Sequence, residues 1–424
     1  MKTEKEKSSE EYVRSWERQI RLIEMNETLL KKAKEKIKRA INFLRKEFGE
    51  DFLINPINNS HFLVRKLIHM RDVTLYQWIL WFVDSYKLIK LLSSDNDELI
   101  KKLRNELGDP NTALVELIHI DKFLRSNYFE SNLYPKRKKD GAKKSKHPEL
   151  EVKIKHNNFI FDVEIKELQP KEGLKAFFKT WMLLHESFFI YESKRIYFTF
   201  SIVLITPDIH PKIIEQIRKQ IELDILEVVE NKTVKYYEKE HLIKYVIGHV
   251  FKQEEIENWC QVNNSALNQI ILIPNLLEPA IASVKGKIQK DIMEGNLAYS
   301  KYGLGIINNQ NLVSLNDLEG EKDFRKIIVN IQQTILNFPN LIGIILSSGL
   351  YYTLKPQIST KNDDYAIIHN DNDPNNLYYI IIWNSNFNFP FSETDKQGII
   401  DAFKSDTTTR IHKIRKNKIL FYKS

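Results

Sequence analysis

The chain has 424 residues, more than one ordinary domain accommodates, so two or three units are expected. A hydrophobic fraction of 42% with 28% charged residues describes a globular chain and excludes a disordered or fibrous one. A net charge of +8 favours polyanionic partners, nucleic acid or an acidic membrane surface.

The amino terminus, Met1-Lys-Thr-Glu-Lys-Glu-Lys7, lacks the apolar run of a secretory signal. Residues 8–48 are predicted as one long helix, because Trp16, Ile20, Ile23, Leu30, Ala33, Ile37, Ile41 and Leu44 recur at helical spacing. Gly49 and Pro56 end it. Further helices are expected over about 61–92 and 95–107. Within the first of these, Val73 to Val83 is apolar but too short to span a bilayer. Tyr76, Trp78, Trp81 and Phe82 read as core rather than as a base-stacking platform. Gly108-Asp109-Pro110 is a breaker and marks the end of a helical amino-terminal region, 1–108.

Asn111 or Thr112 is positioned to cap the next helix, about 112–127, which carries Glu116 and a packed His119. A short strand is expected over Ser131 to Pro135. Residues 136–146 then hold seven Lys or Arg against one acid, Asp140, and read as a basic loop. Alternating patterns over 149–155 and 158–168, joined by His156-Asn157-Asn158, predict a β-hairpin. Between about 167 and 280 come an aromatic helix (174–191), a strand (195–206), a helix opened by Pro207 and running to about 230, and a strand near 243–250. The single cysteine, Cys260 beside Trp259, excludes an internal disulfide, lacks Cys/His metal-ligand spacing and reads as a small apolar residue in a reducing, cytoplasmic setting. A helix over 281–294, a strand over 303–308, a helix over 321–337 and a buried strand from Leu341 to Leu346 follow. This alternation predicts α/β architecture with some parallel pairing.

The tail, 351–424, reads as strand-like and loop-like runs, clearest at Tyr378 to Trp383. Asp371 to Asn376 resembles the opening of a calcium loop, but Pro374, Asn376 and Ile382 stand where that loop cannot accept them, so it is read as a polar turn. Six Lys or Arg and no acid lie between Arg410 and Lys423. No Gly-rich phosphate loop and no Gly-x-Gly-x-x-Gly is present, which argues against a P-loop ATPase and a dinucleotide enzyme.

Chemistry concentrates in Phe159-Ile-Phe-Asp-Val-Glu-Ile-Lys-Glu167. In a strand, Asp162, Glu164 and Lys166 share one face while Phe161, Val163 and Ile165 share the other. An exposed hairpin face would explain three charged side chains there; so would a metal site. Carboxylates hold a hard cation such as Mg²⁺, and a lysine beside them offsets developing negative charge or orients water.

These residues resemble the PD-(D/E)XK nuclease superfamily. Its acid-x-lysine motif is matched by Glu164-Ile165-Lys166, and its proline-acid motif on the preceding strand by Pro148-Glu149, with Glu in place of the usual Asp. Glu151, two residues on, could substitute for Glu149. The resemblance covers about 112–166 and, more weakly, 281–347, with the stretch 167–280 as an insertion. It implies a restriction-endonuclease-like mixed sheet flanked by helices over 109–350, followed by a carboxy-terminal region, 351–424. It further implies Mg²⁺ or Mn²⁺ held by Glu149 and Glu164, water positioned by Lys166, and support from Glu116, Glu151 and Gln289, with Lys290 as an alternative to Gln289. The basic loop (Lys136, Arg137, Lys138, Lys139, Lys143, Lys144) would contact phosphates. The implied activity is phosphodiester hydrolysis, in DNA rather than RNA, by analogy in a defence or restriction setting, with a homo-oligomer open. The competing readings are a non-catalytic binding module on the same fold, which Pro-Glu favours, and a helical scaffold whose activity lies in a partner.

Overall fold

The computed structural model describes residues 14–69, 73–92, 98–138, 145–167, 198–206, 209–263, 267–272, 284–309, 321–348, 365–369, 377–387 and 391–404, with shorter pieces between. The chain divides into two compact units. One comprises Met1–Gln19, Leu53–Met70 and Pro170–Leu277; the other comprises Ile20–Phe52, Arg71–Gln169 and Glu278–Ser424. Residues 71–108 and the segment after 350, read from sequence as separate regions, therefore cluster with 109–169 and 278–350.

Where one helix was expected over 8–48 there are two, Trp16–Met25 and α1 (Lys31–Phe48); residues 1–13 lie outside the described ones. The break is chemical. The Asn26 side chain accepts from the Thr28 backbone N–H at 3.0 Å and from its hydroxyl at 2.6 Å, offering the backbone a partner other than the next helical turn. In α2 (Val73–Leu92), Trp78, Trp81, Phe82 and Tyr86 are buried, and Trp78 stacks on Phe82 with centroids 5.1 Å apart. Tyr76, Trp78, Trp81 and Phe82 are core, as the sequence suggested, and Tyr86 joins them. After α3 (Glu98–Leu103), α4 (Pro110–Arg125) starts earlier than expected. Its cap is Asp109, which accepts from the Asn111 N–H at 3.0 Å, and Pro110 opens the first turn, where its missing N–H costs nothing. The breaker is thus the helix start.

The larger unit is built on an eight-stranded sheet. β1 (Phe129–Leu133), β2 (Leu150–Ile154) and β3 (Ile160–Glu167) form an antiparallel meander, with Leu150 opposite Val163. Asn158, at φ 58°, and the Asn157 side chain, which accepts from Phe159 N–H at 2.9 Å, make the turn. β3 then pairs in parallel with β4 (Gly303–Asn309), and β4 in parallel with β5 (Leu341–Ser348). β6 (Lys361–Asn362), β7 (Tyr365–His369) and β8 (Tyr378–Trp383) extend the sheet antiparallel, giving the order β1-β2-β3-β4-β5-β8-β7-β6.

Strand alternation sends side chains to two helical layers. On one face, Phe123 of α4 meets Phe161 of β3 and Phe403 of α6 (Glu393–Lys404), which also packs on Tyr379 of β8. On the other, Ile344, Leu346, Ile380 and Ile382 form one cluster with Ile288, Ile292 and Leu297 and with Ile328, Ile331 and Ile335 of α5 (Glu321–Ile335). α6 corrects the reading of the tail as strands and loops. Ser392 and Asp395 close a reciprocal capping box: Ser392 N–H donates to Asp395 Oδ2 at 2.8 Å and Asp395 N–H to Ser392 Oγ at 3.2 Å.

The other unit carries a four-stranded sheet in the order Val234–Lys239, Ile243–His249, Phe198–Leu204, Gln269–Leu272. Its long helix, Pro211–Asn231, begins at Pro211 under a His210 cap rather than at Pro207. Cys260 is buried beside Val246 and Ile256. The aromatic helix expected over 174–191 and the basic tail 410–423 fall largely or wholly outside the described residues. Among those residues, no helix is long and apolar enough to cross a membrane.

Candidate metal centre at the end of the β2–β3 hairpin

Glu149 stands one residue before β2. Continuing the Leu150–Val163 register by one residue sets it opposite Glu164 at the point where the strands part. Lys166, two residues along β3, shares the Glu164 face. The Lys166 ammonium donates to Glu149 Oε1 at 3.3 Å and pairs with Glu164 Oε1. Glu149 Oε2 accepts from the Ile165 backbone N–H at 2.9 Å, which locks the carboxylate against β3. Glu164 is fully buried and Glu149 nearly so, whereas the Lys166 side chain is one-quarter exposed, at 25%. The acid-x-lysine residues and the proline-acid residue are therefore brought together, and they do not form a solvated hairpin face.

Glu116 joins them from α4. Tyr134 OH donates to Glu116 Oε2 at 2.7 Å, and Lys102 Nζ approaches the same oxygen at 3.3 Å. Tyr134, the residue after β1, has φ 48°, a left-handed conformation that a bulky residue adopts only when its surroundings enforce it; here its backbone N–H also donates to the Glu149 carbonyl at 3.1 Å. Neither Tyr134 nor Lys102 carried a sequence signal.

The electrostatics follow from three carboxylates in a buried space. Burial pushes the Glu164 carboxyl well above the usual carboxylate range, and Glu149 adds to the rise against the opposing pull of Lys166. Burial likewise raises Glu116, again with Glu149 adding to it. Burial opposes the Lys166 charge, but Glu149 and Glu164 more than offset this and raise its pKa, so the ammonium stays protonated.

These directions fix a pH dependence. Because the folded state holds the Glu164 proton more tightly than the unfolded chain, whose carboxyl titrates near 4.5, its contribution to stability is present at low pH. That contribution is lost as pH rises through the elevated folded value. Glu164→Gln removes that penalty. We expect the variant to gain roughly 1 kcal/mol over the metal-free wild type at neutral pH, with the gain shrinking toward acid pH, in urea titrations at several pH values. A gain that is the same at every pH, or a loss, contradicts the assignment.

No protein-family model, no curated protein and no solved structure matches this chain.

Around the cluster, several expected roles shift. Arg137 is clamped: its guanidinium forks onto Asp162 (2.8 and 2.7 Å) and pairs with Glu151. Its backbone exchanges hydrogen bonds with Lys146 at 2.8 Å in both directions. Arg137 is thus a strut at the base of the basic loop rather than a free phosphate ligand, and Glu151, held by it, is not the understudy of Glu149. Lys136 and Lys138 are exposed; Lys139, Lys143 and Lys144 lie outside the described residues. Gln289 and Lys290, which the resemblance offered as support, are both exposed on the π-helical turn Lys287–Met293. The contact from that segment comes instead from Asn296, whose Nδ2 donates to Glu164 Oε1 at 2.9 Å.

Among the described residues, no group of three or more His, Cys, Asp or Glu side chains is arranged to hold a metal ion. Mg²⁺ does not require one, since it keeps several waters and is commonly bound through one or two carboxylates. Glu164 Oε2 is buried and accepts no N–H or O–H donor, and the Glu164 carboxyl lies within hydrogen-bonding reach of Glu149, a place that a proton or a cation can fill. With Glu149 alongside, the donor set fits a hydrated hard cation.

Proposed function

We propose that this protein is a Mg²⁺- or Mn²⁺-dependent nuclease that hydrolyses phosphodiester bonds, with DNA as its substrate. The observation that carries the reading is the convergence of Glu149, Glu164 and Lys166 from the two arms of one hairpin, with a buried Glu164 oxygen left unpartnered. The order of elements supports it: a helix bearing Glu116, a three-stranded meander, then a helical segment leading to a strand parallel to β3. This is the arrangement expected of a restriction-endonuclease-like core. The net charge of +8 suits a polyanionic substrate.

A cation held by Glu149 and Glu164 would polarise the scissile phosphate and lower the pKa of a bound water. Lys166 keeps its proton and so acts as a fixed positive charge beside the phosphate and a hydrogen-bond donor that orients the attacking water. Glu164 must give up its proton to bind the cation, so affinity is expected to rise with pH above the usual carboxylate range. Glu116, steadied by Tyr134 and Lys102, completes the acidic shell.

The test is incubation with plasmid, linear and single-stranded DNA and with RNA, in Mg²⁺ or Mn²⁺, beside Lys166→Ala. Metal-dependent cutting by the wild type alone is expected. Cutting that persists in the variant refutes the mechanism. One observation favours a second reading, an inactive nucleic-acid-binding module of the same fold: Lys166 already pairs with both carboxylates where the cation would sit. That reading predicts DNA binding without cleavage.

A further inference from the structure

The oxygens of Glu164 are treated unequally. Oε1 receives two donors, Lys166 Nζ and Asn296 Nδ2, while Oε2, equally buried, receives none. A carboxylate oxygen has two lone pairs, so two donors fill Oε1, whereas Glu149, with one donor on each oxygen, keeps a lone pair on each. A carboxylate bonded on neither oxygen would be free to rotate. In Glu164 one oxygen is anchored and the other is left available.

The segment that delivers Asn296 is built for close approach. The π-helical turn Lys287–Met293 runs into a single 3₁₀ turn, Asn296–Tyr299, through Gly295. A Cβ at Gly295 would lie 1.8 Å from the Asp291 carbonyl oxygen, so only glycine passes there without displacing the backbone. Four residues after Asn296, the Ser300 hydroxyl donates to Asp162 Oδ2 at 2.6 Å. Asn296 and Ser300 thus grip two acids that sit two apart on one face of β3, and each leaves a different carboxylate fixed in orientation. Asp162 is saturated by Arg137 and Ser300, whereas Glu164 retains its vacant oxygen.

We infer that Asn296 is a positioning residue of the metal centre: it holds Glu164 by Oε1 so that Oε2 is the oxygen presented to the cation. The inference rests on the reading of this site as a metal centre. Partners that orient a ligating carboxylate typically change metal affinity by about 10- to 100-fold when removed.

The experiment is a Mn²⁺ titration of the full chain, followed by the electron paramagnetic resonance signal of free Mn²⁺, with thermal unfolding of each metal-free variant. Asn296→Ala is expected to weaken Mn²⁺ binding at least tenfold, with Tm close to that of the wild type because the side chain is only half-buried. Asn296→Gln, which keeps the amide donor, is expected to recover part of the loss. If Asn296→Ala binds Mn²⁺ as the wild type does, or Asn296→Gln is as weak as Asn296→Ala, Asn296 does not position Glu164 and the inference falls while the metal centre stands. If the wild type shows no saturable Mn²⁺ binding, the metal centre falls and the inference with it.

Discussion

Lys166→Ala is expected to lower the rate constant for metal-dependent phosphodiester cleavage by about 10³-fold, in the range seen when a positioned proton-transfer or charge-stabilising group is removed. The reason is geometric. Lys166 is bonded to both arms of the hairpin where Glu149 and Glu164 meet, and its side chain is partly exposed while the acids it touches are buried. It therefore faces the side from which a phosphate can approach. Its loss also removes the positive charge that opposes protonation of Glu164, so that proton is held more tightly and metal affinity falls at neutral pH. Single-turnover kinetics at saturating Mn²⁺ separate the two effects. A residual rate within tenfold of wild type at saturation would reduce Lys166 to a structural ion pair.

The largest effect on stability is expected away from the site. Lys122 of α4 and Asp373 are both fully buried and pair at 2.7 Å. Asp373 also accepts from Tyr379 OH at 3.2 Å and from Asn375 N–H at 2.9 Å, and the Lys122 ammonium lies 5.3 Å from the Tyr379 ring centroid. Burial by itself pushes the Asp373 carboxyl up, but Lys122 and these hydrogen bonds prevail and hold it below the usual range. Lys122→Ala strands a buried carboxylate and is expected to cost about 3–5 kcal/mol by urea unfolding. Lys122→Met combined with Asp373→Leu, which removes both charges and keeps the volume, is expected to recover most of it. The wild-type pair contributes its stability above the unfolded pKa of Asp373 and loses it as pH falls through the depressed folded value, so the cost of Lys122→Ala shrinks in acid. A cost under about 1 kcal/mol at neutral pH would mean that water or another cation reaches Asp373.

The parts of this molecule that local pattern controls were legible in the sequence. The 149–167 hairpin shows in its alternation and its Asn-Asn turn, and Glu164-Ile165-Lys166 is conspicuous because charged residues interrupt an apolar strand. Helix identity was also legible for α1 to α5, but not helix ends. Asp109 rather than Asn111 or Thr112 caps α4, and Asn26 breaks the first predicted helix, because side chains compete with the backbone for its orphaned N–H groups. The α6 helix left a readable signal in Ser392-Glu-Thr-Asp395, a capping box before an apolar pattern.

What was not legible depends on contacts distant in sequence. Asn296 meets Glu164 across 132 positions, by way of the π-helical turn and Gly295, whereas the family resemblance pointed to Gln289 in the turn itself. Arg137 looked like one of seven loop cations until its fork on Asp162 was visible. Asp373 sat in what reads as a polar turn, and nothing in that turn announces a buried partner at Lys122.

The most direct test is calorimetric titration of Mn²⁺ into the wild type and Glu164→Ala at neutral pH. A saturable site in the wild type, lost in Glu164→Ala and accompanied by proton release, is the predicted result. Equal affinity in the two proteins, or no heat of binding in either, would contradict a cation held between the arms of the β2–β3 hairpin.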